Sequence, residues 1–401
     1  MTAFLLAPFY IVINLYIVRW MFRWMGACHY LFRTMTFQVI FAGIYIFFAT
    51  TLLTGFLINK PLWLHRILKS IGNYFLGTFF YILMVIGIVD LGRLILKYGF
   101  HSSLIGNHRV FVITGAVCTF FIIFISAYGI IHTTHVKVTH YEVNVNKKVK
   151  NMNTLKIVLA ADAHFGYSVG PRHAERFVRK INQENPDLVC FAGDFFDNEF
   201  DAFSDPERVM ASLRSIRSTY GTYACFGNHD LNEPILAGFT FHSSSNQEDP
   251  RMEAFLKDCN IHLLNDESAL IDEKFYLVGR KDPTRAQKIG SKSPKNPGQR
   301  KTPAQLTNRL DRSKPIIFID HQPKELDEVS KAGADLDLCG HTHDGQLFPG
   351  NLVTRLFWEN SCGCLKKGQM HSIVTSGVGV WGPNMRVGTD SEICSITVHF
   401  T

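Results

Sequence analysis

Five short blocks hold most of the residues in this sequence that could do metal chemistry. They are Asp162-Ala163-His164, Gly193-Asp194-Phe195-Phe196-Asp197, Gly227-Asn228-His229-Asp230, Asp320-His321-Gln322-Pro323 and Gly340-His341-Thr342-His343. They offer carboxylates, an amide and imidazoles, and no cysteine. Oxygen and nitrogen ligands without thiolate suit Mn, Fe, Zn, Co or Ni rather than a structural zinc site. In Asp162-x-His164 and His341-x-His343, residues two apart point the same way on an extended segment, so both can reach one cluster. Glycines before Asp194, Asn228 and His341 let the backbone turn sharply and approach a ligand closely. Taken singly, each block reads as a polar turn, because Asn and Asp favour turns. Their joint occurrence points to a metal centre.

The elements that must hold these side chains are strands. Leu155 to Ala161 is a short apolar run with β-branched members, and its end meets Asp162. Leu188 to Ala192, Thr222 to Phe226, Pro315 to Ile319 and Leu336 to Cys339 stand in the same relation to the other blocks. Arg172 to Asn185 has helical periodicity, and Pro206 to Arg217 opens with proline at a first helical turn. Ala269 to Gly279 reads as a hairpin, and Ile373 to Thr375 and Ile393 to Val398 close the chain. Strands alternating with helices predict an α/β domain with a partly mixed sheet. In open α/β sheets, sites form beyond the carboxyl ends of strands, where these blocks stand.

The first third is of another kind. Thr36 to Ile58 and Val110 to Ile131 are uncharged apolar runs long enough to cross a bilayer. Tyr74 to Leu96 is also long enough, with Asp90 and Arg93 near its end on one helix face, either an interfacial pair or a functional pair within the membrane. Phe4 to Val18 lacks the basic start and small-residue cleavage site of a signal peptide. It reads as a first span reaching Trp24, with Arg19, Arg23 and two tryptophans as its interfacial anchor. The expected organisation is therefore four spans (about 4–24, 36–58, 74–96 and 110–131) within residues 1–135. A linker and first strand follow over 136–153, and the catalytic domain over 154–401. Arg19, Arg23 and Arg33 favour the first loop inside, which puts both termini outside, although Lys60, Arg66 and Lys69 in the next loop pull the other way. The chain then reads as a multi-pass protein of a plasma or inner membrane, with its domain extracytoplasmic.

Composition agrees. Of 401 residues, 47% are hydrophobic and 33 are phenylalanine, crowded into the first third. The net charge of +7 fits basic residues flanking spans, and no long Lys/Arg run suggests nucleic acid. The nine cysteines are scattered. Cys362-Gly363-Cys364 is the close pair, either two loop thiols or a tight disulfide.

The five blocks resemble the calcineurin-like metallophosphoesterase superfamily over roughly residues 150 to 401. "GHTHDGQLFPG" followed by "SGVGVWGPNMRVGTDSEI" is similar to the signature of its membrane-anchored branch. The resemblance implies an αββα sandwich of two sheets flanked by helices, behind the all-α transmembrane helices. It gives Asp162, His164 and His343 to one metal and Asn228, His321 and His341 to a second, with Asp194 bridging. His229 would face the substrate, oriented by Asp197. Two divalent ions, manganese first among the candidates, would clamp a phosphate ester, and a metal-bridging hydroxide would attack phosphorus. Imidazole suits His229 as acid to the leaving oxygen. Asp344 and Asp320 depart from the family pattern and add negative charge near the metals.

A membrane-tethered phosphoesterase most economically meets a membrane substrate, such as a phospholipid or a lipid-linked phosphodiester or pyrophosphate. The alternative is a hydrolase of soluble phosphodiesters or nucleotides merely tethered there. A scaffold that lost catalysis should lack ligands, and none is missing. A transporter should show a charged translocation path, and the spans carry one end-of-helix pair. Arg280 to Lys301 is basic and rich in Gly, Pro and Ser, and reads as a long exposed loop that is either a solvated insertion or a guide for an anionic headgroup. Leu352 to Leu365 places Leu356, Phe357 and Trp358 just past the last metal block, as core or as a lip touching lipid.

Overall fold

The computed structural model describes residues 2–236, 239–240, 248–290 and 300–401. The chain divides into two compact units, Met1–Ile130 and Ile131–Thr401.

The first unit is built from α1 (Thr2–Cys28), α2 (Met35–Leu57), α3 (Leu62–Leu94) and most of α4 (His108–His132). Among the described residues, three helices are long and apolar enough to cross a membrane: α2, α3 with the π turn that prolongs it to Gly99, and α4. The expected count of four is thus met for three, with α1 not among them; its apolar stretch runs into Arg19 and Arg23. The expected third span, 74–96, lies inside a helix that starts twelve residues earlier. His65, Leu68 and Gly72 form a buried stripe at helical spacing, so Arg66 and Lys69, read as loop residues, belong to helix. α2 and α3 approach closely: a Cβ at Gly55 would lie 3.1 Å from the Lys69 nitrogen. Near the end of α3, Asp90 takes Arg93 at 3.3 Å and the Tyr16 hydroxyl at 2.6 Å.

The second unit carries the α/β pattern. In chain order its elements are β1 (Val136–Val145), β2 (Thr154–Ala160), α5 (Pro171–Gln183), β3 (Leu188–Ala192), α6 (Pro206–Arg214) and β4 (Thr222–Cys225). The short β5 (Ile235–Leu236) and β6 (Phe239–Thr240) precede α7 (Pro250–Asp258), β7 (Ile261–Leu263), β8 (Glu267–Ile271), β9 (Phe275–Gly279), α8 (Pro283–Gly290) and α9 (Pro303–Thr307). Then come β10 (Ile316–Ile319), α10 (Leu326–Lys331), β11 (Leu336–Cys339), α11 (Gly350–Phe357), β12 (Gly363–Lys367), β13 (Met370–Val374) and β14 (Ser391–Phe400).

Two six-stranded mixed sheets result, ordered β1-β14-β2-β3-β4-β7 and β12-β13-β11-β10-β9-β8. Alternation along β2 explains how they pack. Leu155, Ile157 and Leu159 point into a core shared with Leu277, Ile317, Leu336 and Ile373 of the second sheet. Val158 and Ala160 point the other way, into a core with Phe177, Val209 and Phe255 from α5, α6 and α7. Phe318 and Val278 face Leu306 and Leu326 of α9 and α10. α5 buries Ala174, Phe177, Val178 and Ile181, one stripe of an otherwise charged helix.

The direction of β1 matters for function. It runs parallel to β14, with Val136 opposite Ser391, and β14 runs antiparallel to β2, with Cys394 opposite Leu159. The start of β1 therefore lies at the sheet edge where β2 ends in Asp162.

The expected loop at 280–301 is corrected for its first half. Residues 283–290 are helical, and Arg280, Arg285 and Lys288 are buried rather than solvated. Each has an acid to meet: Arg280 meets Asp320, Arg285 meets Glu248 and Lys288 meets Glu233. Residues 291–299 lie outside the described residues. All nine cysteines are free thiols, Cys362 and Cys364 included.

Candidate metal centre

The blocks at the strand ends adopt backbone that strands do not. Asp162, His164, Asp194, His341 and His343 have φ of 57°, 45°, 54°, 72° and 50°, in the left-handed region that costs a side-chain-bearing residue energy. Such strain gathers where function over-determines the backbone. Two glycines make room. A Cβ at Gly227 would lie 2.1 Å from Asp194 Oδ1, and one at Gly340 would lie 2.5 Å from Asp162 Oδ2.

Two groups of donors form. In the first, atoms of Asp162, His164 and His343 lie within 4.8 Å of one another. His164 Nε2 faces His343 Nε2 at 3.1 Å, and His343 Nε2 lies 3.8 Å from Asp162 Oδ1. The second group joins Asp194, His321 and His341. His321 Nε2 lies 3.1 Å from Asp194 Oδ2, from His341 Nδ1 and from Asn228 Oδ1. Asp194 Oδ2 is also 3.7 Å from His164 Nε2, so one oxygen faces both groups. Its other oxygen accepts from the His229 backbone N–H at 2.8 Å.

The surroundings prepare nitrogen lone pairs. His321 Nδ1 meets the Ala192 carbonyl at 2.7 Å. A carbonyl only accepts, so Nδ1 carries a proton and Nε2 is aimed at the cluster. Burial drives the His164 imidazole down to about 3, and drives His341 and His343 well below the ordinary range. Burial pushes the Asp162 carboxyl up to about 7 against the pull of His321. In the Asp194–His321 pair, burial opposes charge on both. Their attraction wins, holding Asp194 well below the carboxylate range and His321 well above the imidazole range. Neutral imidazoles facing each other at 3.1 Å, beside a carboxylate reluctant to ionise, are groups that a shared cation would satisfy. The donor set fits hard-to-borderline divalent metals.

His229 and Asp197 stand beside the first group, their donor atoms within 4.8 Å of each other and of His164. Asp197 Oδ1 is 3.9 Å from His164 Nδ1, and the acceptor at His229 Nδ1 is Asn198 Oδ1. Asn198 was not singled out in the sequence, because an amide after a motif aspartate resembles any turn residue. Asp230 was also passed over as the end of a turn. It is buried and accepts from the backbone N–H of Asp194 (2.9 Å), Gly227 (2.7 Å) and Phe196 (3.0 Å), tying two strand ends together. Arg386 is wholly buried and donates to the carbonyls of Ser376, Gly377 and Gly379, clamping the C-terminal strap. Asp320 does not add free negative charge near the metals as expected: Arg280 Nη1 meets it at 2.6 Å and Arg300 Nη2 at 2.9 Å. Asp344 sits in a turn at φ 46°, and its Oδ1 has no hydrogen-bond partner.

Comparison with known proteins agrees with this geometry. Residues 155–345 match the family model for calcineurin-like phosphoesterase, a span that contains every candidate ligand. An uncharacterized metallophosphoesterase of Campylobacter jejuni is 28% identical over 71% of this chain and 68% of its own length. A transmembrane protein with metallophosphoesterase domain from Danio rerio is 27% identical over 85% of this chain and 75% of its own. A UDP-2,3-diacylglucosamine pyrophosphatase of Chlamydia trachomatis is 25% identical over 53% and 70%. Behind helices long and apolar enough to cross a membrane, the chain carries a calcineurin-like phosphoesterase domain, of the metal-dependent phosphoester hydrolase class.

Proposed function

We propose that the protein is a membrane-anchored hydrolase of a lipid-borne phosphate ester that works with two divalent metal ions. The observation that carries this reading is the single Asp194 oxygen facing both donor groups. Asp162, His164 and His343 would hold one cation and Asn228, His321 and His341 the other, with Asp194 serving both. When bound, two divalent ions, manganese first among Mn, Fe, Zn, Co and Ni, supply Lewis acidity and an acidified water.

The chain's own residues do the rest. Asp162 and Asp194 contribute the negative charge that the buried site otherwise lacks reason to keep. Asp230 and the Ala192 carbonyl fix the loops and the His321 ring. The Asn198 carbonyl keeps the proton of neutral His229 on Nδ1, leaving Nε2 to exchange a proton at the leaving oxygen. Burial holds that imidazole below its ordinary range, so it is neutral at rest and must take up a proton at Nε2 before it can give one to the leaving oxygen. Asp197 Oδ1 lies 3.9 Å from the other ring nitrogen of His164, near enough for its charge to be felt there but not for a hydrogen bond.

Chain path supports a lipid substrate, a phospholipid or a lipid-linked phosphodiester or pyrophosphate. Three residues separate α4 from β1, and β1 starts at the edge that holds the donor groups. The Chlamydia relative, whose name describes a diacylated substrate, supports the same reading. A fourth span through α1 and an extracytoplasmic domain complete the proposal. Digestion of the domain by protease added to intact cells is expected, and protection until the membrane is opened would reverse the side.

The enzymatic test compares wild-type and Asp194→Asn protein on bis-p-nitrophenyl phosphate with manganese. Turnover by the wild type alone is expected. Equal rates, or no turnover by protein shown to hold two metals, would sink the catalytic reading. A screen of lipid phosphates, diesters and pyrophosphates in detergent then identifies the substrate.

A further inference from the structure

α11 buries none of its residues. Leu356 is 82% and Phe357 79% exposed, and Leu352, Val353 and the preceding Phe348 are exposed too. Beyond α4, Leu270 is the one other large apolar side chain so exposed among the described residues. Leu352, Val353, Leu356 and Phe357 fall at helical spacing on one stripe. A soluble domain rarely leaves such a contiguous apolar patch uncovered.

The path of the chain says what covers it. His132, the last residue of α4 and part of the second unit, meets Asp390 at 2.9 Å. Two residues before Asp390, Gly388 packs on the start of the α11 segment. A Cβ there would lie 3.3 Å from Phe348 Cβ and 3.9 Å from Asn351 Nδ2. One short strap, 388–390, therefore touches both the end of a membrane-length helix and the beginning of α11. The flanks suit a headgroup layer. Arg355 is exposed beside the stripe, and Lys324 Nζ lies 5.4 Å from the Trp358 ring just beyond it. Apolar stripes flanked by cations and tryptophan mark helices that lie in the interface plane.

We infer that α11 is seated in the bilayer interface, with Leu352, Val353, Leu356 and Phe357 among the acyl chains. Trp358 stands 5.3 Å from the His341 ring, so the seated helix brings the donor groups to the level of lipid headgroups. The placement rests on the exposed stripe and the chain path, and holds whether or not the substrate is a lipid.

The test uses full-length protein in nanodiscs of phosphatidylcholine and phosphatidylglycerol. Leu356 is replaced by the photocrosslinker p-benzoylphenylalanine, and Glu273, on the hairpin turn before β9 at the opposite sheet edge, is replaced in a control. After illumination, the peptide spanning 350–358 should gain the mass of one phospholipid. Its yield should exceed the Glu273 control by about tenfold or more, the factor expected when a leucine side chain partitions into an apolar phase. Equal yields at both positions, a crosslink to another segment of the chain, or a band of twice the mass would overturn the inference. So would the absence of any adduct with the probe shown to be incorporated. The readout needs no hydrolysis, so failure of the lipid-substrate reading would leave the adduct in place.

Discussion

The two units of this chain place their apolar side chains in opposite ways. In the first, Met35 is 81%, Phe120 71% and Phe9 68% exposed, and a smaller set that includes Trp20, Phe79 and Tyr81 is buried among the helices. In the second, Leu159, Ile317 and Ile373 are fully buried. Solvent sets the difference. Lipid tails are as apolar as leucine, so outward apolar surface costs nothing there. In water each buried Å² of it is worth about 25 cal/mol. The second unit breaks its own rule twice. α11 shows the surface of the first unit, and the strand ends bury Asp162, His164, Asp194 and His321 almost completely. Both exceptions ask for something outside the polypeptide: a bilayer in one case, cations in the other.

The largest expected effect separates the units by metal. Stripping divalent ions with a chelator should lower the unfolding temperature of the second unit and leave the helical unit unaffected. A ligand held at a thousand times its Kd stabilises by about 4 kcal/mol. Calorimetry of the full chain in detergent, with and without manganese, reads both transitions. Coincident shifts would mean that the units do not respond separately. Asp194→Asn should cost at least about 10²–10³ in turnover, the scale of losing one preorganised electrostatic contact in a reacting site.

Next comes the loss of one charge from an ion pair in each unit. Arg280→Met leaves the buried Asp320 to Arg300 alone and should destabilise the second unit by about 1–3 kcal/mol. Asp90→Asn removes a partly exposed pair from α3 and should cost about 0.6 kcal/mol, the average for polar contacts between membrane helices. Similar costs from denaturant titration of the two variants would erase the distinction between buried and partly exposed charge.

The same contrast explains what was legible in the sequence. Strand runs and donor blocks could be read because alternation is local and because a metal site needs particular residue types. α3 was read too short, because its first turns carry Arg66 and Lys69 on one face while His65, Leu68 and Gly72 pack on another. Residues 280–290 looked like a solvated loop, because the acids that bury Arg280, Arg285 and Lys288 lie up to 55 residues away in sequence. Which oxygen of Asp194 faces both donor groups is not written in the sequence. The backbone N–H of His229 occupies the other oxygen, a constraint only the folded loops create. Asp230 and Arg386 lie inside quoted motifs, but they hold backbone groups rather than metal donors, so their role shows only in the fold.

A smaller effect tests α11. Leu356→Asp with Phe357→Asp should lower the ratio of lipid-phosphoester to soluble-ester turnover about tenfold, because two apolar anchors no longer favour the interface. Thermal stability should move by less than about 0.5 kcal/mol, since the helix buries nothing in the domain. A large loss of stability with an unchanged ratio would make α11 an ordinary packing element.

The smallest expected effect lies at the end of α4, where Asp390 meets His132 at 2.9 Å and Lys137 at 2.9 Å. Partial burial pushes the Asp390 carboxyl up, but the hydrogen bond and charge of Lys137 outweigh it and hold the group below its ordinary range. The folded state therefore binds this proton less readily than the unfolded chain, whose aspartates titrate near about 3.9. The stabilisation is full above that value and is lost as pH falls through the lower, folded one. Lys137 is more than half exposed, so the pair is worth only about 0.2–1 kcal/mol. Asp390→Asn should lower the unfolding temperature of the second unit by about 1–3 °C at pH 7, with the gap closing toward pH 3. A gap that persists at pH 3 would mean that Asp390 acts there through its shape and hydrogen bonds, and that charge contributes nothing to the strap joining β14 to the end of α4.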